Sequence, residues 1–350
     1  MTTLPSSSSS VRNADGSTPI LSVEDLHVEF RTRESTVNAV NGISYTVSAG
    51  ETLAILGESG SGKSVSAQAI MGILDSPPAV IPRGEIWFDG KNLLTEPAEE
   101  QRKVRGPGIS MIFQDALSSL NPVYSVGYQI GEMFRAHRGL SKKEAKKHAI
   151  DLMDRVRIPA AAQRVNDYPH QFSGGMRQRV MIAMAIALDP RVLIADEPTT
   201  ALDVTVQAQV MDLLKDLQRD TGMGLVLITH DLGVVNEVAD NVAVMYAGRI
   251  VERGTVDDVF GNPAHPYTEG LMASVPQVEA KGGRLRPITG QPPNLAKIPS
   301  GCPFHPRCGR RRLGADALPG RDCAGDVPPL RLVVPSREAA CHYSEEVLGV

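Results

Sequence analysis

A glycine-rich stretch combines the residue types and the spacing that bind phosphate groups. The run GESGSGKS, at residues 57–64, fits the pattern G-x-x-x-x-G-K-[ST] of a phosphate-binding P-loop. Glycines let the backbone turn several N–H groups toward one anion, the lysine ammonium neutralises the terminal phosphates, and the last hydroxyl can bind Mg²⁺. The sequence therefore predicts a nucleotide-phosphate site. Its expected binding residues are Gly57, Ser59, Gly60, Ser61, Gly62, Lys63 and Ser64.

Acidic residues and a histidine follow two apolar runs further along the chain. The run 192–195 leads directly into Asp196 and Glu197, and the run 225–229 leads into His230. Beside a P-loop, Asp196 can hold the Mg²⁺ shell while Glu197 polarises the attacking water. His230, which follows the second apolar run, can sense the γ-phosphate. A surface acidic pair and a structural histidine are the alternatives.

The elements that must position these residues alternate between strands and helices. A short apolar strand, 52–56, precedes the P-loop, and a helix, 63–74, follows it with its N-terminus toward the anion. This alternation predicts an α/β fold with a mainly parallel sheet and helices on both faces. The other predicted strands are 21–30, 43–47, 85–90, 109–113, 192–195, 225–229 and a terminal hairpin of 242–246 with 249–252. The other predicted helical segments are 126–164, 176–187, 204–219 and 232–239.

Composition restricts the class of protein. The chain has 350 residues, 42% of them hydrophobic, and a net charge of −4, which does not indicate a nucleic-acid-binding protein. It contains no apolar run of the roughly 18 residues that a membrane span needs, and its first residues lack the apolar core of a signal peptide. We therefore expect a cytosolic chain with a disordered leader at 1–19, an ATPase domain at 20–262 and a Pro-, Gly-, Arg- and Cys-rich extension at 263–350.

The order of the motifs carries a family resemblance. The P-loop is followed by Gln114, the Ser-Gly-Gly element at 173–175, the acidic pair at 196–197, the run 201–203 and then His230. In this order the chain resembles an ABC-type ATPase over about residues 21–255. RecA-like and GTPase P-loop proteins lack the Ser-Gly-Gly element. The resemblance implies a RecA-like parallel core, an antiparallel β subdomain and a helical subdomain at about 115–172.

The resemblance also implies roles for single residues. It places Glu197 as the general base, His230 at the γ-phosphate, and Gln114 at the metal and water, where it also couples to a membrane subunit. In the same family the Ser-Gly-Gly element meets the γ-phosphate held by a second subunit, so a head-to-tail dimer with two ATP molecules is expected. The residues implied to act at that dimer interface are Ser173, Gly174, Gly175 and Asp203.

Two positions depart from the family pattern. The signature reads FSGGM instead of the common LSGGQ, so Met176 removes a possible side-chain hydrogen bond but leaves the backbone donors. The loop 31–36 has no aromatic residue, and Phe30 is therefore the candidate for stacking on adenine.

Three further stretches resemble the dipeptide/oligopeptide importer ATPases, a branch that also includes nickel-importer relatives. They are QDALSSLNP at 114–122, SGGMRQRVMIAMA at 173–185 and HPYT at 265–268, and the tail run 299–308 matches as well. The resemblance implies a subunit at the cytoplasmic face of the cell membrane that powers peptide import. Implied partners are a second, heterodimeric ATPase subunit, two membrane permease subunits and an extracytoplasmic solute-binding protein.

Alternative functions remain at this point. The same machinery can serve another solute, such as nickel. A soluble ABC ATPase acting on DNA or the ribosome is a second alternative, but DNA-repair members carry cysteine pairs inside the ATPase body and two cassettes or long coiled-coil insertions. A regulatory subunit with weak hydrolysis is disfavoured by Glu197 and His230.

All four cysteines lie in the extension, at Cys302, Cys308, Cys323 and Cys341. A cytosolic chain disfavours disulfides, and the spacing lacks the close pairs of typical structural zinc sites. Four thiolates can hold a [4Fe–4S] cluster, which members of the resembled branch carry in this tail. Zinc, with His305 or His342 as a substitute ligand, and no metal at all remain the alternatives.

Overall fold

The computed structural model describes residues 18–115, 119–200, 202–274 and 287–349. The predicted leader at 1–19 lies outside the described residues except for its last two positions, and so does Ala201 of the run 201–203. The described strands are β1 (Leu21–Arg31), β2 (Thr36–Val47), β3 (Thr52–Leu56), β4 (Ala79–Phe88), β5 (Lys91–Asn92), β6 (Ile109–Ile112), β7 (Val192–Asp196), β8 (Gly224–Ile228), β9 (Asn241–Tyr246), β10 (Arg249–Thr255), β11 (Arg331–Val334) and β12 (Arg337–Ala339).

The described helices agree with the predicted helical segments and add several short ones. They are α1 (Lys63–Met71), α2 (Ala98–Val104), α3 (Val126–Arg138), α4 (Lys142–Arg155), α5 (Ala161–Arg164), α6 (Gly174–Ile186), α7 (Val204–Thr221), α8 (Leu232–Val238), α9 (Val256–Gly261), α10 (Pro266–Ala273) and α11 (Ser344–Leu348). Helix α1 ends earlier than predicted, because Gly72 adopts the left-handed conformation with φ +60° and its N–H caps the last turn.

The larger sheet carries the predicted site at one end of its strands. Within the described residues its order is β11-β12-β10-β9-β3-β8-β7-β6. Strands β9, β3, β8, β7 and β6 are parallel, which confirms the predicted parallel core. The hairpin of β9 and β10 is not terminal, contrary to the prediction, because β12 pairs with β10 and β11 pairs with β12. The extension therefore supplies the edge of the ATPase sheet.

Alternation along β7 shows why this sheet is covered on both faces. Leu193 and Ala195 pack with α6 and α7, whereas Val192 and Ile194 pack with α1 and the antiparallel sheet. A parallel strand with both faces buried reads as a continuous apolar run, which is what the sequence shows here. Both faces of the strand that ends at the predicted acidic pair are thus fixed by packing.

The antiparallel sheet, in the order β2-β1-β4-β5, is the second layer of the described structure. Leu21 and Ile86 from this sheet share a buried cluster with Ile55 of β3 and Ile70 of α1. This cluster joins the antiparallel layer to the strand and helix on either side of the P-loop, so the loop lies between two packed supports.

Helices α3 to α5 form the helical part of the molecule. Ser141 begins α4 with a capping box in which its side chain accepts from the N–H of Glu144 and the Glu144 carboxylate accepts from the N–H of Ser141. Ile130 of α3 and Met153 of α4 are fully buried in the same hydrophobic cluster as Val180 of α6. The helix that follows the Ser-Gly-Gly element is therefore shared between the helical part and the main sheet.

A buried ion pair fixes the extension to the main sheet. Arg337 Nε on β12 lies 3.1 Å from Glu252 Oε1 on β10, and the two side chains are 4% and 0% exposed. The carboxylate of Glu252 also accepts from the N–H groups of Ala264 and His265.

No described helix combines the length and the apolar character needed to cross a membrane.

Candidate functional site

The P-loop turns sharply between β3 and α1, and two of its glycines are required by close backbone approaches. A Cβ on Gly57 would lie 2.3 Å from the carbonyl oxygen of Met245. A Cβ on Gly62 would lie 2.2 Å from the carbonyl oxygen of Ala39, and Gly62 has φ +100°. Only glycine fits both positions, so the neighbouring strands determine the path of the loop.

Other P-loop residues differ in exposure. Ser59 and Gly60 are exposed, whereas Ser61 is buried and its hydroxyl has no hydrogen-bond partner within the described residues. A buried hydroxyl without a partner calls for an explanation, and an anion bound in the loop would provide an acceptor.

Lys63 is buried at the start of α1 and its ammonium group points back into the loop. Nζ donates to the carbonyl oxygens of Gly57 over 2.8 Å and Glu58 over 3.0 Å. Burial lowers the pKa of Lys63, and the nearby carboxylates of Glu197 and Asp196 oppose this shift. The structure therefore places a positive charge inside the loop, as the motif predicts.

Ser64 and Asp196 come together from distant parts of the sequence. The hydroxyl of Ser64 donates to Oδ1 of Asp196 over 3.0 Å. Burial raises the pKa of Asp196, while the hydrogen bond from Ser64 lowers it. Hydroxyl and carboxylate oxygens are ligands that Mg²⁺ accepts in nucleotide sites, so the pair fits the predicted metal position.

Glu197 lies at the centre of a second cluster. The amide of Gln114 donates to Oε2 of Glu197 over 2.9 Å, and Nδ1 of His230 lies 3.5 Å from Oε1. Glu197 has φ +46°, a strained conformation for a non-glycine residue, and its N–H donates to Ile228 over 2.8 Å. The structure thus brings Gln114 and His230, two of the three predicted catalytic residues, to the carboxylate of the third, Glu197.

Thr200 also contacts this carboxylate, which the sequence reasoning missed. Its hydroxyl donates to Oε2 of Glu197 over 2.8 Å. The position three residues after Glu197, in a turn that follows the strand, was the available signal, because a short polar side chain there can reach back to the acid.

The Ser-Gly-Gly element begins α6, two residues before the predicted helix start at residue 176. Ser173 is exposed and caps the helix, accepting from the N–H of Met176 over 3.3 Å. A Cβ on Gly175 would lie 2.5 Å from a methyl group of Val206, so glycine allows α6 to approach α7. Met176 is partly buried, and its sulfur lies 3.8 Å from Nη1 of Arg164. The exposed helix start can meet an anion.

Asp203 and Phe30 each make contacts within the fold. Asp203 caps α7, accepting from the N–H of Val206 over 3.0 Å, so its observed contact is structural. Phe30 lies on β1 opposite Val37 and is half-buried against the core. Adenine stacking by Phe30 and a dimer contact by Asp203 stay predictions.

The four cysteines line one cavity of about 350 Å³, together with His305 and His342. All four are free thiols, and burial raises the pKa of Cys302 to about 12 and of Cys341 to about 11. The part of the chain that the structure describes contains no group of three or more His, Cys, Asp or Glu side chains arranged to hold a metal ion. The predicted ligands therefore share a cavity but are not assembled into a metal centre.

Glu58 and Arg307 form another contact that the sequence did not reveal. Glu58 is a variable position of the P-loop pattern, and Arg307 precedes Cys308 in the extension. Their side chains form an ion pair although 249 positions separate them. No local pattern connects residues so far apart in the chain.

Two family models match different parts of the chain. A family model described as ABC transporter matches residues 40–200, and one described as oligopeptide/dipeptide transporter, C-terminal region, matches residues 251–313. The dipeptide transport ATP-binding protein DppD of Bacillus subtilis is 52% identical over 308 residues, which cover 88% of this chain and 92% of DppD. The oligopeptide transport ATP-binding protein OppD of Salmonella typhimurium is 48% identical over 329 residues, which cover 94% and 95%.

Solved structures agree on the fold. A dimeric post-hydrolysis state of the ATP-binding cassette MJ0796, bound to ADP and Pi, has 26% identity and a TM-score of 0.61, covering 67% of this chain and 98% of that one. CbiO1 from Clostridium perfringens, part of the ABC transporter complex cbiONQ, has 31% identity and a TM-score of 0.58, covering 69% and 91%.

Proposed function

The chain belongs to the family of ABC transporter ATP-binding subunits that includes the dipeptide and oligopeptide transport proteins, and on that premise we propose that its ATP hydrolysis drives peptide import. The observation that carries the proposal is the pair of contacts at the end of β7. Asp196 accepts from Ser64, and Glu197 accepts from Gln114. Phosphate-binding, metal-binding and water-activating groups thus meet at one edge of the sheet.

Each of these residues has a role that its position permits. Lys63 and the P-loop N–H groups bind the β- and γ-phosphates, and His230 contacts the γ-phosphate. Glu197 takes the proton of the attacking water, with Gln114 holding that carboxylate and the water in position. Ser64 and Asp196 would hold Mg²⁺, which supplies charge neutralisation on the phosphates when bound.

A second ATPase subunit completes each site in this proposal. Ser173, Gly174 and Gly175 offer an exposed helix start, while α6 packs against α3, α4, α7 and β6. Helix α1, by contrast, packs against β1, β2, β6 and β7. The two anion-binding helix starts therefore have largely different supports, and each serves a separate nucleotide in a head-to-tail dimer. By family resemblance the partner is a different chain, which makes a heterodimer.

The membrane subunits dock beside Gln114. A groove of about 500 Å³ next to β6 is lined by several methionines and by Phe113, which is 41% exposed. Flexible thioether side chains adapt to an inserted helix, and an apolar groove suits one apolar helix face. In this proposal the groove of each ATPase subunit binds one helix of one permease subunit, so the complex contains two permease subunits. A solute-binding protein delivers peptide from outside. The chain then works at the cytoplasmic face of the membrane.

The thiols support a further part of the proposal, a structural [4Fe–4S] cluster held by Cys302, Cys308, Cys323 and Cys341. Four thiols are the donors that such a cluster takes, and they line one cavity in a segment with little regular structure. Zinc is the runner-up, with His305 or His342 beside the thiols. Binding either group would release thiol protons, since burial raises the pKa of Cys302, Cys308 and Cys341.

Metal analysis of anaerobically purified protein tests this part alone. The cluster predicts iron and inorganic sulfide in equal amounts, with a charge-transfer absorption that Cys308→Ser and Cys341→Ser both abolish. Stoichiometric zinc without iron would replace the cluster by the runner-up, and no metal would leave the cavity as a cluster of thiols.

The peptide proposal is tested on the whole complex. The chain is co-purified with its permease, partner ATPase and binding protein, and ATP hydrolysis is measured with added di- and oligopeptides. Peptides should raise the rate in the wild-type complex and raise it much less in the Glu197→Gln complex, in which this chain's own site no longer hydrolyses ATP. Stimulation by another solute such as nickel, with no response to peptides, would overturn the substrate assignment while leaving the ATPase intact.

A further inference from the structure

The P-loop makes a two-point ion pair with the extension. Arg307 Nη1 lies 2.6 Å from Oε2 of Glu58, and Nη2 lies 2.9 Å from Oε1. The side chains of Arg307 and Glu58 are 6% and 25% exposed. Two parallel N–H···O bonds between a planar guanidinium and a carboxylate fix both distance and orientation. A residue of the extension thus determines where a P-loop side chain lies.

Arg307 is itself held by its surroundings. Nε donates to the carbonyl oxygen of Thr289 over 3.0 Å, and Nη1 donates to the hydroxyl of Tyr246 over 3.3 Å. The guanidinium carbon lies 5.8 Å from the ring centre of Tyr246 and 6.0 Å from that of Phe304. The hydrogen bonds to Glu58 raise the pKa of Arg307 further above its ordinary value. Contacts other than the one to Glu58 therefore also hold the guanidinium of Arg307 in place.

Glu58 passes this constraint to the residue that binds phosphate. Its N–H donates to the hydroxyl of Tyr267 over 2.9 Å, so α10 of the extension holds the backbone as well. Its carbonyl oxygen accepts from Lys63 over 3.0 Å and from the N–H of Ser61 over 3.2 Å. One residue thus connects the extension to the buried ammonium group of the loop.

Charge adds a second effect. Glu58 places a carboxylate in the loop that must bind the phosphates of ATP, and the repulsion between these negative charges disfavours binding. Arg307 neutralises that carboxylate where water has limited access. Removing the guanidinium would leave the negative charge in place, whereas removing both charges would not.

We propose that Arg307 is a positioning residue of the ATP site, which acts through Glu58 to hold the P-loop backbone and Lys63 ready for the phosphates. The proposal rests on the ATPase function above. It gives the extension a role in nucleotide binding, in addition to its proposed role of binding a metal group through its thiols.

The test compares charge, geometry and rescue in the assembled complex. Arg307→Met, Arg307→Lys, Glu58→Gln and the double variant Glu58→Gln/Arg307→Met are assayed for the Kd of ATP and for KM and kcat. We expect Arg307→Met to raise Kd and KM by about tenfold or more with a smaller change in kcat. Arg307→Lys keeps the charge but loses the two-point geometry, and should fall in between. The double variant should bind ATP better than Arg307→Met.

Arg310→Met is the matched control. Arg310 lies in the same segment and pairs with Glu269 through two contacts of 2.8 and 3.2 Å, but both side chains are about half exposed. This variant should leave Kd, KM and kcat unchanged. A thermal melt of every variant separates weaker ATP binding from loss of the fold.

Two results would overturn the proposal. A folded Arg307→Met or Arg307→Lys with wild-type Kd and KM would show that the ion pair does not position the loop. If Arg307→Met does not fold, the Kd of ATP is compared among Arg307→Lys, the double variant and the wild type. Equal values in all three would contradict the proposal. Failure of the wild type to bind ATP would instead contradict the ATPase function itself.

Discussion

The hydroxyl of Ser64 donates a hydrogen bond to Oδ1 of Asp196 over 3.0 Å, joining the first turn of α1 to the end of β7. The two residues are 132 positions apart in the chain. Both groups offer oxygen atoms, and the contact fixes their separation. The P-loop and the acidic strand end are therefore one site, with Glu197 as the next residue along.

Replacing Asp196 should separate metal binding from nucleotide binding. Asp196→Asn keeps the size and an acceptor for Ser64 but removes the charge. We expect the affinity for ATP in the presence of Mg²⁺ to fall by about 10- to 100-fold, with little change in EDTA. Titration with a fluorescent ATP analogue in both conditions measures this. An equal loss in EDTA would assign Asp196 to the fold of the site and not to the metal.

Replacing Glu197 should stop hydrolysis but not binding. Glu197→Gln keeps a carbonyl oxygen for the hydrogen bonds from Gln114 and Thr200 but cannot accept the proton of water. Hydrolysis in a single turnover should fall by about 10²- to 10⁴-fold, the range for a lost general base, while the Kd of ATP stays near its original value. Undiminished turnover would remove Glu197 as the base.

Thr200→Val is the matched control for that experiment. It removes the hydroxyl that donates to Glu197 over 2.8 Å and leaves the carboxylate itself. Because only the orientation of the base is loosened, the rate should fall by much less than in Glu197→Gln. An equal loss in both variants would show that orientation, not the proton acceptor, limits the reaction.

Charge at Ser173 should interfere with the site of the neighbouring subunit. Ser173→Asp keeps a good helix cap for α6 but places a negative charge where the γ-phosphate of the other nucleotide is proposed to lie. Ser173→Asn caps the helix without the charge. In the assembled complex, Ser173→Asp should lower kcat by at least about tenfold, whereas Ser173→Asn should retain most of it.

A binding measurement completes this test. The Kd of ATP for the isolated chain should be the same in both Ser173 variants, because the proposed contact is made to another subunit's nucleotide. A weaker Kd in the isolated Ser173→Asp chain would place the signature at its own P-loop and contradict the head-to-tail arrangement.

Breaking the buried pair of Glu252 and Arg337 should destabilise the whole ATPase sheet. Arg337→Met leaves a carboxylate that is 0% exposed without its guanidinium partner. Loss of one partner of a buried pair typically costs about 3–5 kcal/mol of unfolding free energy. Urea denaturation measures the change.

Two further variants interpret that result. Arg310→Met breaks an exposed pair in the same extension and should cost no more than about 1 kcal/mol. Glu252→Gln/Arg337→Met removes both charges and should regain part of the loss. A small effect of Arg337→Met would show that water reaches Glu252 and that the extension is weakly attached.

Local patterns explain how much of this structure the sequence could predict. The strand 52–56 and the apolar run before Asp196 are predictable because strands buried on both faces are apolar along nearly their whole length, and the motif order then locates Gln114, Glu197 and His230. Their assembly around one carboxylate follows from parallel strands ending at the same edge of the sheet.

The remaining features depend on contacts between distant segments. Strands β11 and β12 are short and carry arginines, so they lack an apolar alternation of their own. Strand β12 is held by pairing with the edge of β10, and β11 is held by pairing with β12. The ion pair of Glu58 and Arg307 likewise has no local signal, because each residue is ordinary in its own segment. The path of the folded chain alone brings them together.

The place of Arg337 in the chain sets an order on its synthesis. Domains fold as the ribosome releases them from the N-terminus, and β10 is released well before β12. Until residue 337 emerges, Glu252 lacks its guanidinium partner and the sheet lacks its edge strands. A message truncated between these strands would therefore encode every nucleotide-binding motif but leave a buried carboxylate without its partner and the sheet without its edge strands.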